Sequence, residues 1–185
     1  MRFVETALPG VILVEIDVFP DARGLFFEIS HAKKYAEGGI TAPFVQYNFS
    51  RSSLNTLRGL HYQLQQPQGK LVTVVEGAIF DVAVDIRVGS PMFGRFVCYE
   101  LSVANKRQLY IPPGYAHGFC ALTDQVGVVY NCTDFYSPKG ERGILWSDPA
   151  IGIPWPVRQP LLSPKDAVYR TLADMAGELP VYRPA

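Results

Sequence analysis

The spacing of glycine and proline constrains this chain more than any other feature. Sixteen glycines and fifteen prolines are spread through 185 residues, and they fall between short apolar runs. Such punctuation leaves strands, joined by tight turns, as the main building unit. Val11–Val18 reads as a strand, ended by Pro20 and a turn at Asp21-Ala22-Arg23-Gly24, and Leu25–Ile29 follows it. From residue 44 onward the candidates are Phe44–Phe49, Gly59–Gln63, Leu71–Val75, Ala78–Val88, Phe96–Val103, Gln108–Ile111, Gly118–Leu122 and Gly127–Asn131. In Ala78–Val88 the residues Phe80, Val82, Val84 and Ile86 point one way, and Asp81 and Asp85 the other, the period-two pattern of a sheet with distinct faces.

Two short helices complete the reading. His31–Glu37 is closed by Gly38-Gly39. Ser163-Pro164-Lys165-Asp166 reads as a helix start, with about two turns expected over Asp166–Ala173. No linker, repeat or low-complexity segment divides the chain. The expectation is one all-β domain over residues 1–185, a jelly-roll barrel with a few short helices and a short C-terminal helical tail from about residue 163.

Charge and cysteine usage narrow the function classes. Lys and Arg together equal Asp and Glu at 17 each, so the chain lacks the basic footprint of a nucleic-acid binder. A few converging arginines could still hold an anionic ligand. Cys98, Cys120 and Cys132 are widely spaced and odd in number, which reads as free thiols in a reducing compartment. Glu5, Glu15 and Asp17 interrupt the N-terminal apolar stretch, so neither a signal peptide nor a membrane span is expected there. A cytoplasmic protein is the expectation.

The three histidines, His31, His61 and His117, are few enough to weigh singly. His31 sits beside Lys33 and Lys34 in a polar helical stretch and reads as a surface residue. His61 lies in Arg58-Gly59-Leu60-His61-Tyr62-Gln63, where alternation puts Arg58, Leu60 and Tyr62 on one face and His61 and Gln63 on the other. His117 closes Pro112-x-Gly114-x-x-His117, a spacing that resembles the second motif of the cupin superfamily. The paired histidines of that superfamily's first motif are missing, because Tyr62 and Gln63 follow His61. Neither a HExxH nor a CxxC pattern is present, nor the glycine-rich motifs of dinucleotide and nucleotide sites. The expectation is therefore a cupin-type barrel with no metal and no cofactor, whose side chains move protons unaided.

Several motifs in order resemble the dTDP-4-dehydrorhamnose 3,5-epimerases. They are Arg58–Gln63 with Pro67–Val72, Phe80–Asp85 with Gly89–Gly94, Asn105–Leu109 running into Ile111–Phe119, Tyr130-x-Cys132-Thr133-Asp134-x-Tyr136, and Glu141-Arg142-Gly143-Ile144-x-Trp146. The resemblance implies an isomerase that acts on a dTDP-sugar. His61 would be the general base, Asp166 its paired carboxylate, Tyr130 the acid on the opposite face of the sugar, and Lys70 the cation beside the C4 ketone oxygen. Arg23, Glu28, Gln46, Asn48, Arg58, His117, Glu141 and Lys165 match nucleotide- and sugar-binding positions. The resemblance also implies a homodimer with exchanged N-terminal strands, each subunit lending part of the other's nucleotide site.

Local chemistry alone supplies rival readings. Asp166 could be only the third residue of a capped helix, Tyr130 a core aromatic, Lys70 a strand edge and Glu28 a surface carboxylate. The chain also departs from the family where Gln46-Tyr47-Asn48-Phe49-Ser50 replaces a usual Gln-Asp-Asn-His-Ser. Tyr47 and Phe49 are thus candidates for altering the accepted base or sugar. A mono-epimerase acting at C3 or C5, a non-catalytic sugar-nucleotide-binding cupin and a metal-dependent cupin oxygenase remain as alternatives.

Overall fold

The computed structural model describes residues 1–184. Thirteen strands frame the fold among the described residues: β1 Arg2–Glu5, β2 Ile12–Glu15, β3 Val18–Asp21, β4 Gly24–Phe27, β5 Gln46–Ser52, β6 Leu57–Gln63, β7 Lys70–Glu76, β8 Ala78–Asp85, β9 Phe96–Ser102, β10 Arg107–Ile111, β11 Tyr115–Ala121, β12 Val126–Cys132 and β13 Glu141–Gly143. A six-stranded sheet runs β1-β2-β10-β7-β12-β5, and a five-stranded sheet runs β13-β6-β11-β8-β9. Every named pairing in them is antiparallel, and the two sheets close on each other as the jelly roll of a cupin-type barrel.

Alternation along the strands builds three apolar layers. Between the sheets, Leu13, Val72, Val74 and Leu109 of the first meet Ile79, Ala83, Leu101 and Phe119 of the second. The other face of the five-stranded sheet carries Leu60, Val82, Val84 and Ile86, covered by Ile144, Ile151, Leu172, Met175 and Leu179 from the C-terminal segment. The other face of the six-stranded sheet carries Ile12, Val14, Leu71 and Tyr110 beneath helix α1, Ala32–Glu37, whose Tyr35 is buried against them. One polar residue pins this last layer. Gln108 is fully buried, accepts from the Tyr35 hydroxyl at 3.0 Å, and donates to Thr73 Oγ1 and the Ile29 carbonyl at 2.9 Å each. Its polar atoms are thereby satisfied inside the protein.

Three expectations need correction. The stretch Val11–Val18 is not one strand: β2 ends at Glu15, and β3 continues through Pro20 into a separate hairpin with β4. Proline is tolerated there because a two-stranded hairpin leaves its missing N–H on an open edge. The expected two-turn helix over Asp166–Ala173 is instead two short 3-10 turns, Asp166–Val168 and Ala173–Met175. Ser163 Oγ accepts from the Asp166 N–H at 3.1 Å, while the cap position of the first turn is Lys165. The helix stops because the barrel takes its backbone groups: the Arg170 carbonyl accepts from Leu145 N–H at 2.8 Å, and Leu172 N–H donates to Asp148 at 2.6 Å.

The third correction concerns Arg58. The register of β6 against β11 shifts between the pairs His117↔His61 and Phe119↔Arg58, so β6 carries one extra residue there. Such a bulge reverses the facing of the residues before it. Arg58 therefore joins His61 on the same side, where plain alternation put it on the other. The bulge depends on a backbone contact that no side chain could share: a Cβ on Gly118 would lie 2.8 Å from the Arg58 carbonyl oxygen and 3.1 Å from the Gly59 Cα.

Candidate active site

At one end of the barrel the interior is polar and open. A cavity of about 290 Å³ is walled by β5, β6, β7, β12 and β13. It merges with a second of about 190 Å³ through four shared residues: His61, Lys70, Tyr130 and Glu141. His61 and Glu141 come from the five-stranded sheet, Lys70 and Tyr130 from the six-stranded sheet. Histidine and tyrosine thus belong to opposite walls of one cleft. Gln46 and Asn48 of β5 line the first lobe, and Arg58 and His117 the second. Arg58 is held in place by bonds from Nε to Ser52 Oγ at 3.1 Å and from Nη2 to the Arg51 carbonyl at 3.2 Å.

Asp166 stands behind His61. Its carboxylate lies 2.6 Å from His61 Nε2 and is almost wholly buried. Burial alone would raise its pKa, but the hydrogen bond and charge of His61, with help from Ser163 and Lys165, hold it below the ordinary carboxylate value. Burial also moves His61, in the direction of lower pKa, against the opposing pull of Asp166. A neutral imidazole that donates Nε2–H to an ionised aspartate satisfies both directions and leaves Nδ1 free to accept a proton.

The other charges are arranged around this dyad. Burial lowers the Lys70 pKa, while Asp81 and Glu141 pull the other way. Burial raises the Tyr130 pKa, so its phenol stays protonated well past neutrality. Lys165 bridges to Glu141 at 2.5 Å at the rim, and Tyr136 donates to the same carboxylate at 2.8 Å. His117 Nε2 lies 2.7 Å from Asp81, a fully buried carboxylate on β8. Among the described residues no three His, Cys, Asp or Glu side chains converge as metal ligands.

Four sequence candidates lie elsewhere in this chain. Tyr47 alternates with Gln46 and Asn48 along β5 and faces out, 65% exposed, as does Phe49. Arg23 sits in the β3–β4 turn, paired with Asp21 at 2.5 Å. Glu28 follows β4 and is paired with Lys34 at 2.7 Å. Conversely, the cleft includes Tyr62, Gln63, Gln68 and Tyr136, which the sequence reading did not single out as site residues. Gln63 shares the period-two face of His61, a signal that was available. Tyr136 needed the fold, since its loop reaches the cleft through a hydrogen bond from its N–H to Gln46 Oε1 at 2.8 Å.

The profile of the family described as dTDP-4-dehydrorhamnose 3,5-epimerase matches residues 5–174. A protein of that name from Shigella flexneri is 54% identical over 168 residues, covering 90% of this chain and 93% of the relative. One from Neisseria gonorrhoeae is 52% identical over 94% of this chain, but this chain spans only 53% of that longer relative. A crystal structure of the dTDP-6-deoxy-D-glucose-3,5-epimerase from Legionella pneumophila Philadelphia 1, in complex with dTDP-4-keto-L-rhamnose, superposes with a TM-score of 0.96 at 49% identity and 99% coverage of both chains.

The charge states of the cleft predict a pH profile. A base at His61 must be neutral to accept a proton, and burial holds its pKa below the ordinary 6.5. A cation at Lys70 must be protonated to stabilise an anion, and burial holds its pKa below the ordinary 10.5. Turnover in the cleft is expected to hold as pH falls past 6.5, and to decline on the alkaline side before pH 10.5. Measurement of kcat/KM against pH checks both limbs, and loss of the alkaline limb in Lys70→Met identifies its origin.

Proposed function

The chain belongs to the dTDP-4-dehydrorhamnose 3,5-epimerase family, and we propose that it epimerises dTDP-4-dehydro-6-deoxy-D-glucose at C3 and C5, giving dTDP-4-dehydro-L-rhamnose. The observation that carries this reading is the placing of His61 and Tyr130 on opposite walls of one cleft, with Lys70 beside them.

Each inversion begins at a C–H bond next to the C4 ketone. His61 Nδ1 takes the proton, and Asp166 stabilises the imidazolium that forms. The electron pair moves onto the ketone oxygen as an enolate. The Lys70 ammonium, which lines the same cleft, would stabilise that charge, and losing a contact of this sort costs about 3–4 kcal/mol of barrier. Tyr130 then delivers its phenolic proton to the opposite face of the same carbon. The imidazolium loses its proton, the phenolate regains one from solvent, and the second carbon follows. Arg58 and His117 suit the diphosphate end, since a guanidinium fork matches paired anionic oxygens. Tyr47 and Phe49 face away from the cleft of their own chain, so the aromatic change at these positions leaves its walls unaltered.

A homodimer completes the site in this reading. The β3–β4 hairpin presents Phe19, Leu25 and Phe26 at 55–68% exposure, an apolar surface that monomers rarely leave bare. Arg23 sits in the turn of this hairpin and Glu28 just after its second strand, both away from the cleft of their own chain. Their proposed role in nucleotide binding is served if the hairpin reaches a second copy. Three free cysteines support a cytoplasmic setting, and among the described residues no helix is long and apolar enough to cross a membrane.

Two measurements test these readings. With the 4-keto substrate followed by NMR, Tyr130→Phe is expected to cut formation of the L-rhamno product by about 10²–10⁴-fold; undiminished turnover would remove Tyr130 from the acid role. Lending of Arg23 across a dimer is tested by refolding His61→Asn and Arg23→Ala chains together. Each mixed dimer then contains one intact site, so activity should rise to about a quarter of the unmodified level. A mixture no better than the mean of its parents would place Arg23 in its own subunit's site or in none.

A further inference from the structure

The hydrogen bond to Asp166 accounts for only part of how His61 is held. It engages Nε2. Rotation about the Cβ–Cγ bond moves Nε2 less than Nδ1, because Nε2 lies nearer that axis. The bond therefore restrains the plane of the ring loosely, and the plane decides where Nδ1 points. A second contact is needed to fix it.

Tyr169 makes that contact. Its ring meets the His61 ring edge to face, with centroids 5.8 Å apart and planes at 76°. This is the arrangement that aromatic quadrupoles favour. Tyr169 follows directly on the 3-10 turn that carries Asp166, and takes an extended conformation with φ −62° and ψ 150°. One short segment thus grips the histidine twice, by a carboxylate and by a ring.

The seat of that ring is Gly143. In the β13–β6 pairing Gly143 lies directly opposite His61. A Cβ on Gly143 would fall 2.2 Å from Tyr169 Cε2 and 2.3 Å from Cζ, so only glycine leaves the ring its place. The buried Tyr169 hydroxyl makes no hydrogen bond of normal geometry among the described residues, although the Lys165 ammonium acts on it. A buried hydroxyl without a well-formed hydrogen bond costs stability. The ring, not the hydroxyl, is what this position uses.

We propose that Tyr169 is a positioning residue for His61, its ring seated over Gly143 and setting the imidazole plane so that Nδ1 faces the cleft. The inference rests on the reading of His61 as the base. Tyr169 touches no reacting atom in this account, and it acts by narrowing the orientations of the group that does.

The test compares Tyr169→Leu, Tyr169→Phe and His61→Asn in the full-length protein, by steady-state kinetics and by ¹⁵N NMR of the imidazole. Tyr169→Leu should lower kcat about five- to tenfold with KM within about twofold, as loss of one aromatic pair implies. Its His61 signal should broaden through ring motion. Tyr169→Phe, which keeps the ring, should restore kcat to within about twofold of the unmodified protein and keep the His61 signal sharp. If Tyr169→Leu does not fold, Tyr169→Met is judged by the same criteria. An unimpaired kcat in the folded Leu or Met variant overturns the proposal. So does an equal loss in Tyr169→Phe, or a fall in kcat with an unchanged His61 signal. An active His61→Asn variant would instead bring down the base reading itself. An inactive one beside an unimpaired Tyr169→Leu brings down only the positioning role.

Discussion

The inner faces of two antiparallel sheets must bury each other, and here they change character along the barrel. Over most of its length the interior is Leu, Val, Ile and Phe, packed between the sheets. At one end the same inward positions hold Lys70, Asp81, His117 and Tyr130. Charges in such a place are costly unless each meets a partner. Most do. His117 rests on Asp81, His61 on Asp166, and Glu141 takes Lys165 and Tyr136. The apolar remainder of the barrel, with its two outer layers, holds this end open and keeps its polar groups in register.

The chemistry of the cleft follows from that frame. Two sheets supply two walls, and a proton can be taken from one side and returned from the other only if base and acid stand on different walls. His61 and Tyr130 do so. Burial favours the neutral histidine and the protonated tyrosine, the states that the proposed acceptor and donor require. The C-terminal segment takes part as well. It covers the outer face of the five-stranded sheet with Leu172, Met175 and Leu179, and the same anchoring delivers Asp166 and Tyr169 to the back of His61.

Much of this was legible in the residues themselves. Period-two alternation placed Phe80, Val82 and Val84 against one layer and Asp81 and Asp85 against the other, as the structure has them. The ordered motifs identified the family and pointed to His61, Lys70, Tyr130 and Glu141, which the fold brings into one cleft. What local reading missed depends on distant pairing. The facing of Arg58 turns on a bulge that only the β6–β11 register reveals. The helix expected after Ser163 gives way because Leu145 and Asp148, some 25 residues earlier in the chain, claim its backbone groups. Tyr169 carries no local signal at all, since its value lies in the ring it meets 108 residues away. Tyr47, whose place in the sequence is beside Gln46 and Asn48, is turned outward by the very alternation that brings those two in.

The central claim is that protons next to the C4 ketone leave and return through this cleft, and it is tested most directly by counting solvent hydrogen in the product. The protein would be incubated with dTDP-4-dehydro-6-deoxy-D-glucose in deuterated water, and the deuterium located by mass spectrometry and NMR. The account predicts one deuteron at C3 and one at C5 in an L-rhamno product, with neither appearing when His61→Asn replaces the unmodified protein. Product that carries no deuterium at C3 or C5 would contradict it.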